Sequence, residues 1–234
     1  MTFAGYPPLV SVVVPVLDEA RALPRLLGHL AALPGRWEVV VADGGSGDGS
    51  AELARRHPLA PRVVTAPRGR ARQQNAGAAA TTGELLVFLH ADSRLPAGAY
   101  ASLTRALRDP ACPGGNFALR FDGADRFSRA LTRWYALQRR CGVYYGDSTL
   151  WLRRADFEGL GGFADLPVME DHELVRRLER RGRTACLPGP ALTSPRRWRA
   201  LGWWRTGLAW TLIRWAFIAG VPAGRLAGLY RAVR

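Results

Sequence analysis

The chain has 234 residues, 48% of them hydrophobic and 22% charged, which suits one large domain with its own core and excludes a disordered segment, a collagen, a coiled coil or a disulfide miniprotein. All 33 basic residues are arginine, against 19 acidic ones, for a formal charge of +14. With no lysine in the chain, Schiff-base chemistry and the phosphate-binding lysine of a P-loop are excluded.

The first predicted element is a strand at residues 10–16, Val-Ser-Val-Val-Val-Pro-Val, because a continuous β-branched run fits a strand buried on both faces. A helix is predicted from Glu19 to about Leu33, with Leu23, Leu26, Leu27 and Leu30 at helical spacing. A second strand runs from Trp37 to Ala42 and ends at Asp43; the turn DGGSGDGS and a short helix to His57 follow. Residues 62–66 read as a third strand, 71–80 as a helix, and 85–89 as a fourth strand ending at His-Ala-Asp-Ser. Strands alternating with helices, on connections too long for hairpins, predict right-handed crossovers and a mainly parallel sheet with helices on both faces. Beyond Pro113 the rhythm changes. Strands are expected at 116–121 and 149–153, and helices at about 125–140 and 170–181. The last 37 residues hold five of the eight tryptophans in a mostly helical context. No internal repeat or long linker divides the chain.

The charge is uneven. Residues 1–174 carry 20 Arg against 18 acidic residues, whereas residues 175–234 carry 13 Arg against Glu179 alone. Base composition accounts for arginine replacing lysine but not for this clustering, which points to an anionic partner: nucleic acid, a lipid surface or substrate phosphates. Cys112, Cys141 and Cys186 form neither a disulfide framework nor a zinc spacing. The N-terminus offers no basic, apolar leader pattern, so a reducing cytoplasm is the expected compartment.

Ligands of an open parallel sheet bind beyond the carboxyl ends of its strands. Asp43 and Asp92 both fall at that rim. Each alone also reads as a turn or cap residue; two acidic strand ends in one sheet favour a site.

Four segments, in this order and spacing, resemble the family 2 glycosyltransferases of the GT-A fold: SVVVPVLDEA, VVVADGGSGDGS, GRARQQNAGAAATTGELLVFLHADSRLP, and GGF followed by MEDHELVRRLERRG. The resemblance spans residues 9–183 and is nearest to compact bacterial members associated with radical-SAM and selenodomain proteins. It implies a GT-A domain over 1–195, with a basic, Trp-rich helical appendage over 196–234. It also implies that Pro15, Val16, Leu17 and Glu19 line the base and ribose, that Asp43 accepts a hydrogen bond from them, and that Arg72, Gln74 and Asn75 help hold the nucleotide. The family's Asp-x-Asp metal motif is here His90-Ala91-Asp92. Asp92 with the donor diphosphate suits Mn²⁺ or Mg²⁺, and His90 is either an additional ligand or a strand-end histidine bonded to backbone. Glu170-Asp171 matches the pair whose second member is the catalytic base. Asp147 is placed on the acceptor side, and Arg196, Arg197 and Trp198 at the diphosphate, where planar guanidinium groups neutralise a leaving group; a solvated basic turn is the other reading of the three.

Between Ala200 and Val221 only Arg205 and Arg214 are charged. Leu201, Trp204, Leu208, Leu212 and Trp215 form one apolar stripe, and Trp203, Trp210 and Phe217 another. A helix apolar on two sides is expected to bury both, against the domain, a second subunit of a homodimer, or the inner face of a membrane; two arginines argue against a spanning helix. The expected activity is inverting, metal-dependent transfer of a sugar from a nucleotide diphosphate, UDP in the first instance, to an unassigned acceptor. The competing readings are a non-catalytic basic tether for anionic membrane or nucleic acid, with nucleic acid the weaker partner, and a sugar-nucleotide pyrophosphorylase, which the missing lysine disfavours.

Overall fold

The structure, a computed structural model, describes residues 7–229, without the side chains of Arg197, Ala200, Leu201, Trp203, Trp204 and Arg205. The first half is built as its periodicity dictates. Strand β1 (Val10–Val16) is buried at every residue except Pro15 and pairs on both edges, with β2 (Trp37–Asp43) and β4 (Leu85–Phe88), both parallel to it. Strand β3 (Arg62–Thr65) adds outside β2, also parallel. Helices α1 (Leu23–Ala31), α2 (Ser50–Arg56) and α3 (Arg70–Ala79) make the crossovers. On α1, Leu23, Leu26, Leu27 and Leu30 are all buried, each contributing on the order of 1.5–3 kcal/mol. Helix α3 lies so close to β1 that a Cβ on Gly77 would fall 2.4 Å from the Val13 side chain, closer than carbon atoms approach.

Helix α1 starts at Leu23, not at Glu19. Residues 18–22 are instead stapled to the glycine-rich turn: the Asp18 N–H donates to Ser46 Oγ, the Glu19 N–H to Ser50 Oγ and the Ala20 N–H to Asp48 Oδ2. Donors that a helical turn would have left unpaired are satisfied by side chains of another loop, and Asp18 adopts a left-handed φ of 55°.

In the second half the sheet turns mixed. Strand β7 (Leu150–Arg153) is antiparallel to β4 and to β6 (Gly114–Phe121), β8 (Ala185–Thr193) is parallel to β6, and the two-residue β5 (Ser93–Arg94) is antiparallel to β8. The order is β3-β2-β1-β4-β7-β6-β8-β5, a mostly parallel sheet flanked by helices. Strand β8 has no signature in the sequence, since Pro188, Gly189 and Pro190 interrupt it. It pairs as a strand by bulging there, Leu187 lying opposite Phe117 and Ala191 opposite Leu119, so the prolines' missing donors fall outside the ladder.

The remaining helices are α4 (Ala99–Ala106), α5 (Arg126–Arg140), α6 (Arg154–Gly159), α7 (Glu170–Arg181), α8 (Arg196–Leu201), α9 (Trp203–Ile218) and α10 (Ala223–Ala227). Asp125 caps α5 by accepting from the Ser128 N–H, as its residue type favours. Ile213 of α9 and Ala223 and Leu226 of α10 share a buried cluster with Val168 and Met169, just before α7. Trp198 of α8 packs with Phe121 and Leu131. The helix expected beyond Ala200 breaks at Gly202 (φ 82°), and among the described side chains only one of its two apolar stripes is covered: Trp210 and Phe217 pack on the buried cluster around Ile213, but Leu208, Leu212 and Trp215 are exposed. Leu201, Trp203 and Trp204 lie outside the described side chains.

Candidate active site

At the carboxyl ends of β1 and β4 a cleft of about 370 Å³ opens, lined among others by Pro15, Leu17, Asp18 and Glu19 from the first strand and its turn, by His90 and Asp92 after β4, and by Arg68, Gly69, Arg70 and Gln73 around the start of α3. That volume lies in the range of small-ligand sites. A second, narrow crevice of about 40 Å³ lies beside it, lined by Trp134, Tyr135, Tyr145, Asp171, Trp210 and Arg214. Arg70, Asp147 and Trp198 line both, so two compartments meet at one cation, one carboxylate and one indole.

The cleft's charges are held in a network. Arg196 reaches across with both terminal nitrogens on Glu19, at 2.6 and 3.3 Å, and with Nε 3.1 Å from Asp92 Oδ2. The Glu19 hydrogen bond holds the guanidinium even more firmly protonated than usual. The side chain of Arg197 lies outside the described residues. Arg70 is clamped by Glu170 of α7, whose side chain is 1% exposed. Burial pushes the Glu170 carboxyl above its ordinary range, against the pull of Arg70. A carboxylate this buried is tolerable only with a fixed cation beside it.

Asp171 follows in the first turn of α7, where the helix dipole favours a negative charge. Its Oδ2 accepts from the Gly146 N–H at 2.8 Å and its Oδ1 from the His172 N–H at 2.7 Å, which fixes the carboxylate on the crevice wall. A Cβ on Gly146 would sit 3.2 Å from Asp171 Oδ2 and 3.4 Å from His90 Nε2, so a side chain at residue 146 would crowd both groups. Asp147 Oδ1 is 3.6 Å from His90 Nδ1, and Oδ2 is 3.4 Å from the Tyr135 hydroxyl. Burial raises the Tyr145 hydroxyl to about 12 and the Tyr135 hydroxyl well above its usual value, so both stay protonated donors at neutral pH. His172, buried behind Tyr145 and Phe217, is depressed by desolvation and is neutral.

Several residues singled out from the sequence stand elsewhere. Val16 faces the core, and its carbonyl accepts from Gln73 at 2.7 Å. The Asp43 carboxylate ends β2 as expected but accepts from the Gly45 and Ser46 N–H groups and the Ser46 hydroxyl, organising the turn. Arg72 points away into a bidentate pair with exposed Asp165. Gln74 is buried off the cleft, and Asn75 pins the GGF loop, its Nδ2 donating to the Phe163 carbonyl and its Oδ1 accepting the Phe163 N–H. The side of α3 that faces the cleft carries Arg70 and Gln73 instead, because one residue along a helix turns 100°. Arg68 and Arg70, flanking Gly69, join the cleft without belonging to any of the site positions that the resemblance implies; their signal in the sequence is a glycine between two arginines at a helix start, where donors and dipole favour anions.

A hard divalent ion needs several oxygen ligands. Among the described residues no group of three or more His, Cys, Asp or Glu side chains is close enough to hold one. Asp92 and His90 at the cleft therefore fit such an ion only if a bound diphosphate completes its shell.

This mostly parallel sheet flanked by helices, with a charged cleft at its strand ends, matches the GT-A fold of solved glycosyltransferases. The chain belongs to glycosyltransferase family 2: the model for "Glycosyl transferase family 2" matches residues 11–158. A Bacillus subtilis protein described as "Probable glycosyltransferase YdaM" is 24% identical over 231 residues, covering 87% of this chain and 54% of that protein. Among solved structures, a mannosyltransferase from Pyrobaculum calidifontis in complex with GDP-Man and Mn²⁺ matches at TM-score 0.65 and 25% identity, over 89% of this chain and 63% of that one. Glucosyl-3-phosphoglycerate synthase from Mycobacterium tuberculosis, in complex with Mn²⁺, UDP and glucosyl-3-phosphoglycerate, shares the fold at TM-score 0.58 and 21% identity, over 80% of this chain and 72% of that one. The chain spans about half the length of the curated relatives it matches.

Proposed function

We propose that this protein is an inverting glycosyltransferase that takes a sugar from a nucleotide diphosphate, a UDP-sugar in the first instance, and passes it to a nucleophile held in the crevice. One observation carries the reading: the cleft and the crevice meet at Arg70 and Asp147, with Asp171 immobilised on the crevice wall. Inversion requires a base on the acceptor side, opposite the departing diphosphate. Asp171 is that base. The Gly146 and His172 N–H groups leave it few orientations.

Arg68, Arg70 and Arg196 neutralise the negative charge that builds on the departing diphosphate, as preorganised cations do where such charge develops. Glu170 keeps Arg70 in place. Before donor binds, Arg196 is neutralised by Glu19 and Asp92; phosphate oxygens would exchange with those carboxylates. Asp92, with His90 beside it, would hold Mn²⁺ or Mg²⁺ against the diphosphate, and the ion supplies further neutralisation there. Pro15, Leu17 and Glu19 are assigned to the nucleoside end, Asp147 and Trp198 to the boundary with the acceptor. The Mn²⁺ complexes of the two solved relatives support a metal, while their GDP-Man and UDP ligands keep the base an experimental question.

The test is thermal unfolding with UDP, GDP and their sugar conjugates, with and without Mn²⁺, followed by release of nucleotide diphosphate from any conjugate that binds. A rise in melting temperature with one nucleotide plus Mn²⁺, and slow release of its diphosphate, is expected. No shift with any of them would overturn the reading.

A further inference from the structure

The crevice has one wall from α5 and another from α9, through Trp134 and Gln138 of the first and Thr211 and Arg214 of the second. Beside those lining positions both helices carry large apolar side chains into solvent. On α9, Leu208, Leu212 and Trp215 are 54%, 57% and 58% exposed; at spacings of four and three they form one face. On α5, Trp134 and Leu137 are 48% and 54% exposed. Soluble surfaces rarely leave such residues together without a partner.

The charge within the two helices is of one sign. Arg126, Arg129, Arg133 and Arg140 of α5 are exposed, and none makes an ion pair among the described residues. Neither α5 nor α9 contains an acidic residue. Arg214 lies over the Trp215 ring at 5.3 Å, a cation beside an amphipathic ring, as interfacial anchors are built. Among the described residues no helix is long and apolar enough to cross a membrane, so a bilayer would be met edge-on.

We propose that the outer faces of α5 and α9 dock on an anionic lipid bilayer, so that the crevice opens at the membrane surface and receives a membrane-borne, amphiphilic acceptor. The docking stands on the surface alone; the acceptor class rests on the transferase reading. The charge decides against a second copy of the chain: an isologous contact would lay this face on the same face of its partner, and neither α5 nor α9 offers a carboxylate to meet the arginines, whereas anionic headgroups neutralise them. Trp134, Leu137, Leu212 and Trp215 enter the headgroup–acyl boundary as the apolar side of an interfacial helix does.

The experiment is flotation of the full chain with phosphatidylcholine vesicles, with and without phosphatidylglycerol, beside sedimentation of the protein alone. Binding to the phosphatidylglycerol vesicles, weakened by salt, is expected. Each arginine at such a surface multiplies partitioning about fivefold, so R126S/R133S should lower it by an order of magnitude or more, and L212S/W215S should lower it as well. These side chains are exposed, and unchanged melting temperatures verify folding. No flotation, flotation undiminished in both variants, or a dimer that the same substitutions disperse would overturn the docking. Nucleotide-induced stabilisation is measured on the same samples. Its absence beside intact flotation counts against the transferase reading and not the docking; the reverse pattern counts against the docking only.

Discussion

Replacing Asp171 by Asn keeps the size of the side chain and removes its charge. In the native site both carboxylate oxygens accept backbone N–H groups, from Gly146 at 2.8 Å and His172 at 2.7 Å. An amide has one acceptor oxygen, so one of these donors would face an NH₂ group and lose its partner. Such a loss costs about 1–3 kcal/mol, and the vanished charge in the first helical turn adds about 0.3–1 kcal/mol. Because the side chain is half-buried, water offsets part of this, and about 2 kcal/mol is expected. For a domain of this size that lowers the melting temperature by about 4–8 °C. The rate should suffer far more, by about 10²–10⁴-fold, the usual contribution of a general base. Nucleotide binding should persist, since Asp171 lines the crevice and not the cleft. Scanning fluorimetry with and without nucleotide, beside an assay of diphosphate release with acceptor, separates the three effects. Turnover near the parent's would remove Asp171 as base; loss of the nucleotide-induced shift would move it into the donor site.

Arg196→Ala should weaken nucleotide-diphosphate binding about fivefold, close to 1 kcal/mol after allowing for solvent screening of a side chain that is 46% exposed; isothermal titration reads this directly, and unchanged affinity would place Arg196 outside the donor site. His172 sets a pH dependence. Its folded value is depressed by burial below the ordinary 6.5, so below about 6.5 the unfolded chain binds more protons than the folded one. Stability should therefore fall as pH drops through that value toward the folded one. Denaturant unfolding at pH 7 and pH 5 should show the loss, and His172→Phe, which cannot titrate, should diminish it; an unchanged slope would contradict the assignment.

Much of this was legible in the residues alone. The β-branched run of β1, the leucine spacing of α1 and the strand ends at Asp43 and near Asp92 are local patterns, because burial on one or both faces of an element leaves its period in the sequence. The match of α7 to residues 170–181 has the same origin, with an acidic first turn and a basic last one. Strand β8 was illegible because its place is specified by β6 and β5, not by its own prolines.

Side-chain direction belongs to tertiary structure. Arg70, Arg72, Gln73, Gln74 and Asn75 share one short segment, but a helix spreads neighbours around its axis, and only its packing against β1 and the GGF loop selects which of them meet the cleft. The same holds for the charge concentrated after residue 175. The sequence by itself determined its size, its sign and its company of tryptophans. The fold decided that Arg196 meets Glu19 and Asp92 while Arg177 is bound by Glu173 and backbone carbonyls, and that Arg214 of α9 lines the crevice. Those pairings join residues up to 177 positions apart, a separation that only chain closure around a common core can bridge.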